Sequence, residues 1–81
     1  MALKEIAQKL NNENYGRFMS YAAKFRSSGK KIEAKKVHEK AQLLNKYFYS
    51  ATHTDNIDLI LYYDQQMSFI ISETNTFIKE V

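Results

Sequence analysis

The chain contains no proline, and its only glycines are Gly16 and Gly29. Because these two residue types most often end helices and begin tight turns, their scarcity predicts a few long, uninterrupted elements. A length of 81 residues allows one modest core, and 44% hydrophobic with 26% charged residues is the balance of a chain that folds. The sequence therefore predicts a single domain spanning residues 1–81. The lack of cysteine excludes disulfides and thiolate metal sites.

The middle of the chain has the apolar spacing of a helical hairpin. Between residues 30 and 51 the apolar positions step by three and four, the spacing of one helical face. They are Ala34, Val37, Ala41, Leu44, Phe48 and Ala51. The same steps occur earlier, at Tyr15, Phe18, Ala22 and Phe25. Gly29 lies between the two runs, where a helix C-terminus favours a left-handed residue, so the pattern predicts a tight turn there.

An N-terminal run at Leu3, Ile6, Ala7 and Leu10 also has helical spacing. The polar residues 11–14 separate it from the hairpin. This separator fits a kink, a short loop or an exposed helical turn, and the sequence leaves the three open.

The last third of the chain predicts another helix. Thr54 or Asp55 is expected to cap its first turn, and Asp58 is favourably placed within that turn. Near-helical spacing then continues through Ile57, Ile60, Leu61, Met67, Ile71, Thr74, Phe77, Ile78 and Val81. Leu59, Tyr62, Tyr63, Phe69 and Ile70 widen the apolar surface beyond one stripe. A β-hairpin of residues 59–63 and 67–71 is the second reading, weakened because its turn, residues 64–66, contains neither Gly nor Asn.

Three helices of about 22 to 26 residues, each about 33 to 39 Å long, would be joined by short loops. Matched lengths and short loops predict an all-α fold, an antiparallel three-helix bundle. A break near residues 11–14 would make it four helices around the same core.

Residues 15–46 resemble a single tetratricopeptide-type hairpin. The resemblance is carried by residues 18–25, which place an aromatic, a small and another aromatic residue on the first helix, and by Gly29, Ala34, Ala41 and Leu44. It extends loosely to the three-helix microtubule-interacting-and-trafficking domains. It implies closely approaching helices and the binding of peptides or helices from other proteins. Lys31 and His38 stand where the repeat usually has bulky aromatics, and its carboxylate-clamping positions fall on Met19 and Ala23, so no binding residue is carried over.

Charge is segregated along the chain. Residues 17–46 contain nine Lys or Arg and two Glu, a net charge of +7, whereas residues 47–81 contain five acids and one Lys, a net charge of −4. Arg17, Lys24, Lys31 and Lys35 are predicted to form an exposed basic surface for phosphates or an acidic protein face. The alternative is that the lysines only solvate two helices and balance the acidic third. With two arginines in the chain, base-specific DNA recognition is not expected.

Catalytic signals are absent from the sequence. His38 and His53 stand fifteen residues apart with no partner at ligand spacing, and Asp55, Asp58 and Asp64 do not match a calcium loop. There is no phosphate-binding glycine loop and no nucleophile elbow. The sequence predicts a protein that is not an enzyme and needs no metal or cofactor.

Tyrosine-rich segments indicate a protein-binding surface. The candidate residues are Tyr49, Tyr62, Tyr63, Phe69 and Ile70, because tyrosine supplies large contact area with few rotors to freeze. The alternative is ordinary half-buried tyrosine at the edge of the core. Neither a membrane span nor an export signal is expected from the sequence, and the lack of cysteine favours a cytoplasmic location.

The predicted function is a non-catalytic protein-interaction module, an inhibitor, adaptor or accessory factor that binds another protein or forms a homodimer. Small, Asn- and Lys-rich chains of this kind are frequent among phage and mobile-element proteins. The alternative is a nucleic-acid accessory protein that contacts the phosphate backbone, without sequence specificity, through its basic hairpin.

Overall fold

The computed structural model describes residues 3–81, which form three helices: α1 (Leu3–Ser27), α2 (Lys31–Thr52) and α3 (Ile57–Glu80). All three pack against one another, and the α1–α2 interface is the most extensive. This confirms the predicted all-α three-helix bundle. The β-hairpin reading of residues 59–71 is wrong, since this segment lies inside one continuous helix.

α1 is continuous through the polar residues 11–14, so the alternative with four helices is also wrong. Asn11 and Asn14 are buried on the core side of the helix, whereas Asn12 and Glu13 are exposed. The Asn14 side-chain Nδ2 donates to the Leu10 carbonyl at 2.8 Å, one turn earlier. The asparagine side chain thus bonds within the helix and does not cap a new one.

Gly29 ends α1 as the sequence predicts. Its φ is +82°, in the left-handed region. The Lys30 N–H donates to the Phe25 carbonyl at 2.8 Å and the Gly29 N–H donates to the Arg26 carbonyl at 3.1 Å. These two bonds form a Schellman motif, which satisfies carbonyls that the helix end leaves free.

The core is built on alternation of small and large side chains. Phe18, Leu44, Met67 and Val37 are the largest apolar side chains that are fully buried. Buried alanines lie on both α1 and α2 and let these two helices approach closely. They are Ala7, Ala22, Ala34, Ala41 and Ala51.

The connection to α3 differs from the prediction in its cap. The N-cap is Asn56, whose Oδ1 accepts from the Leu59 N–H at 3.2 Å. Thr54 instead accepts from the Asn56 N–H, and Asp55 forms an ion pair with Lys4 at 3.0 Å. The side chains of Thr54 and Asp55 therefore make their contacts in the loop. Asn56, the next residue, is the one placed to bond the free N–H groups at the start of α3.

Candidate interaction surface

Exposed apolar side chains are concentrated on α3. In residues 3–81 eight large hydrophobic side chains are exposed, and five of them belong to this helix. We call these five the α3 patch: Ile57, Leu59, Leu61, Tyr62 and Phe69. Four of the five fall within the first two turns of the helix. Ile57 and Phe69 are the most exposed, at 61% and 62%.

The helical period explains why α3 is apolar on two sides. Its buried stripe contains Ile60, Met67 and Ile70, which face the other helices. Tyr62 and Phe69 lie about 140° to 160° around the helix from Met67, on the outer side. Because α1 and α2 cover the inner side, the second set of apolar residues stays 41% to 62% exposed.

Two of the predicted protein-binding residues are not on this outer side. Ile70 is 3% exposed, because it follows Met67 by three residues on the buried stripe, so its assignment to the surface is wrong. Tyr63 is half-buried, with its ring centroid 5.8 Å from that of Tyr47 on α2 and 5.6 Å from that of Tyr62. Tyr63 thus links the α3 patch to the core and contributes only an edge to the surface.

Tyr49 is exposed but lies on a different face of the molecule. Its ring stacks on that of His53 with centroids 3.9 Å apart, and the His53 Nδ1 lies 2.8 Å from the Tyr49 carbonyl oxygen. Tyr47, two residues earlier, faces Tyr63 on α3. Two residues rotate a helix position by about 160° in the shorter direction, so Tyr49 points away from α3. The structure does not bring it together with Tyr62 and Phe69.

No family model, curated protein or solved structure matches this chain. The resemblance of residues 15–46 to a tetratricopeptide-type hairpin stays a prediction.

The first pair of predicted basic residues lies where α1 meets α3. The Arg17 Nη2 donates to the side-chain oxygens of Asn14 and Asn75 at 2.8 and 2.7 Å. The Lys24 Nζ lies 5.6 Å from the centroid of the Tyr21 ring. Arg17 and Lys24 are both exposed and seven residues apart, so they share one edge of α1.

The second pair lies on the far side of α2. Lys36 and Lys40 face α3: the Lys36 Nζ lies 5.5 Å from the Phe77 ring centroid, and the Lys40 Nζ lies 2.6 Å from the Glu73 carboxylate. Lys31 and Lys35 each precede one of these by five residues, which places them about 140° around the helix. Lys31 and Lys35 therefore point away from α3, and the four predicted cations occupy two separate edges instead of one surface.

Residues suited to acid–base chemistry are dispersed in the fold. His38 and His53 are fifteen residues apart along α2, about 22 Å at 1.5 Å per residue. Asp64 is 8% exposed, and neither carboxylate oxygen has a hydrogen-bond partner among residues 3–81. Burial raises the pKa of Asp64 above its ordinary value of 3.8. Within the described part of the chain no second ionisable group forms an ion pair with this carboxyl, so it is an isolated buried acid there.

No helix within residues 3–81 combines the length and the apolar character required to cross a bilayer.

Proposed function

We propose that this chain is a small, non-catalytic protein-interaction module that binds another protein, or a second copy of itself, through the α3 patch. The observation that carries the proposal is that five of the eight exposed large hydrophobic side chains of residues 3–81 lie on α3. α3 also makes the least extensive contact of the bundle, the one with α1. α3 thus has the widest apolar surface of the three helices, but it is not the helix that its neighbours cover most.

The exposed parts of the α3 patch side chains are in contact with water. Burying a large apolar side chain fully stabilises the buried state by about 1.5 to 3 kcal/mol. Because the side chains of the α3 patch are only partly buried in the isolated chain, part of this stabilisation is gained only when a partner covers them. Soluble monomers rarely leave such side chains clustered unless the cluster is an interaction surface. Tyr62 and Phe69 are the residue types that most often dominate binding energy, since their rings are large and have few rotors.

A chain of this size suits an inhibitor, adaptor or accessory factor. Its longest dimension is 43 Å against 17 and 16 Å across, so the outer side of a helix offers an elongated surface. The absence of cysteine supports a reducing, cytoplasmic setting for this function.

The test compares Tyr62→Ala/Phe69→Ala with Ile32→Ala/Tyr49→Ala. The control pair lies on α2 and is at least as exposed, at 71% and 61% against 48% for Tyr62 and 62% for Phe69. Removing two central aromatic contacts should weaken association by more than about 2 kcal/mol, on the order of thirtyfold, while the control pair changes little. Sedimentation velocity reports self-association, and quantitative mass spectrometry of proteins co-purified from native lysate reports other partners. A monomer that retains nothing, or equal losses in both variants, would refute the proposal.

Backbone binding to nucleic acid is the second candidate, favoured by the net charge of +7 in residues 17–46. It receives less support from the geometry, because Arg17 is engaged by two asparagines and the remaining predicted cations are divided between two edges.

A further inference from the structure

The α3 patch lies in the part of the chain that has no positive charge. From Thr54 to Ile78 there are four acidic residues and no Lys, Arg or His. Two of these acids are neutralised by cations from other helices: Glu73 by Lys40 and Asp55 by Lys4. Asp64 is buried.

The fourth acid, Asp58, lies within the α3 patch itself. It is exposed and forms no ion pair with any residue of 3–81. It precedes Tyr62 by four residues and Phe69 by eleven, and these steps keep the three on one side of the helix. The outer side of α3 thus combines aromatic surface with one unneutralised carboxylate, and Gln65 between Tyr62 and Phe69 adds no charge.

We propose that the occupant of the α3 patch is a basic amphipathic helix of another protein. Its apolar side chains meet Leu61, Tyr62 and Phe69, and a Lys or Arg on its flank meets Asp58. This inference rests on the proposed function and narrows it to one partner chemistry. A lysine or arginine helix fits because it brings the cation that this surface lacks, whereas an acidic helix or a phosphate backbone would bring like charge to Asp58.

A second copy of the chain fits this surface less well. An antiparallel pair of α3 helices that aligns Tyr62 with Phe69 of the second copy also aligns Asp58 with Glu73 of the second copy. Asp58 then meets another carboxylate, whose own cation, Lys40, is already engaged at 2.6 Å. A parallel pair places Asp58 beside Asp58. Both arrangements bury apolar surface, but in both of them carboxylates of the two copies repel each other.

The rest of the molecule makes the preference for α3 stronger. The chain has a net charge of +3, and residues 17–46, which include the C-terminal part of α1 and most of α2, have a net charge of +7. A basic helix is repelled from these two helices and attracted only to the acidic third one. The segregation of charge therefore determines which face of the bundle the partner contacts. It also favours a partner with positive charge.

The experiment uses three synthetic amphipathic helical peptides that share one leucine face and differ only in the polar face, which carries Lys, Gln or Glu. Each is titrated into the isotopically labelled full chain and followed by amide chemical shifts. We expect the Lys peptide to bind on the order of tenfold more tightly than the Glu peptide, with the Gln peptide between them. The shifts should centre on Asp58, Leu61, Tyr62 and Phe69.

A charge reversal separates the inference from the proposed function. Asp58→Lys should invert the order of the peptides, Asp58→Asn should reduce the difference between them, and Glu5→Lys, an equal charge change on α1, should preserve it. Circular dichroism checks that each variant keeps its helices. Equal binding of the three peptides at α3, or a dimer through α3 that excludes them, overturns the basic partner but leaves an apolar interaction surface. Absence of any shift on α3 overturns the inference, while co-purification and sedimentation still report on the proposed function by themselves.

Discussion

Asp64 shows how position along a helix decides the environment of a residue more than its chemical type. It falls four residues after Ile60 and three before Met67, so it shares their buried stripe. Its carboxylate is buried away from water, and no group within residues 3–81 donates a hydrogen bond to it. An unpartnered buried polar group costs about 1 to 3 kcal/mol, and ionisation makes the cost larger. The bundle therefore tolerates a destabilising residue on the buried face of its third helix.

Asp64→Asn is predicted to stabilise the fold at neutral pH by about 1 kcal/mol, because it removes the charge and keeps the shape. The sign with pH follows from the raised pKa of Asp64, caused by burial. The folded protein holds the proton more tightly than the unfolded chain, so the wild type gains stability as pH falls toward the ordinary value of 3.8. The advantage of the variant should shrink over that range. Urea unfolding of both proteins at about pH 7 and about pH 4 measures it, and an advantage that grows in acid would contradict this account.

At the scale of the helices, the sequence predicted most of what local chemistry controls. The three helices and the turn at Gly29 follow from apolar spacing and glycine placement, and the structure has them where the pattern indicates. The cap of α3 was missed because Thr54, Asp55 and Asn56 are all good caps, and propensity alone does not choose among neighbours. In the fold Thr54 accepts from the Asn56 N–H, Asp55 pairs with Lys4, 51 residues away, and Asn56 is left as the cap. The continuity of α1 likewise depends on burial of Asn11 and Asn14, a tertiary effect.

The two glycines, Gly16 inside α1 and Gly29 just after its end, allow a matched test of backbone conformation. An added Cβ would meet nothing within 4 Å at either position, so steric clash with neighbours is removed from the comparison. Gly29→Ala should destabilise by about 1 to 2 kcal/mol, because an alanine is strained at a φ of +82°. Gly16→Ala, in the interior of α1, should stabilise by about 0.5 to 1 kcal/mol through lower backbone entropy of the unfolded chain. Thermal unfolding reports both, and changes of the same sign would contradict the assigned backbone roles.

At the scale of the whole molecule, the candidate surface could be predicted only in part. Tyr62 and Phe69 were correctly expected at the surface, since too many apolar residues lie on α3 for two neighbours to cover. Ile70 was misplaced, and the exposure of Leu61 was missed, because periodicity alone does not tell which of two apolar stripes faces the core. That choice is made by the angle at which α3 meets α1 and α2, and this angle depends on the packing of all three helices.

The division of positive charge between two edges has a consequence for nucleic-acid binding that salt dependence measures directly. Each phosphate contact steepens the dependence of log affinity on log salt by about 0.9 on duplex DNA. A rigid duplex touching one edge meets one pair, Arg17 with Lys24 or Lys31 with Lys35, so we expect these four cations together to contribute a slope no steeper than about −2. Lys31→Glu/Lys35→Glu and Arg17→Glu/Lys24→Glu should each remove only part of this weak binding. A slope near −4 that either double reversal abolishes would mean that the four cations act as one surface, and would restore backbone binding as the leading function of the hairpin.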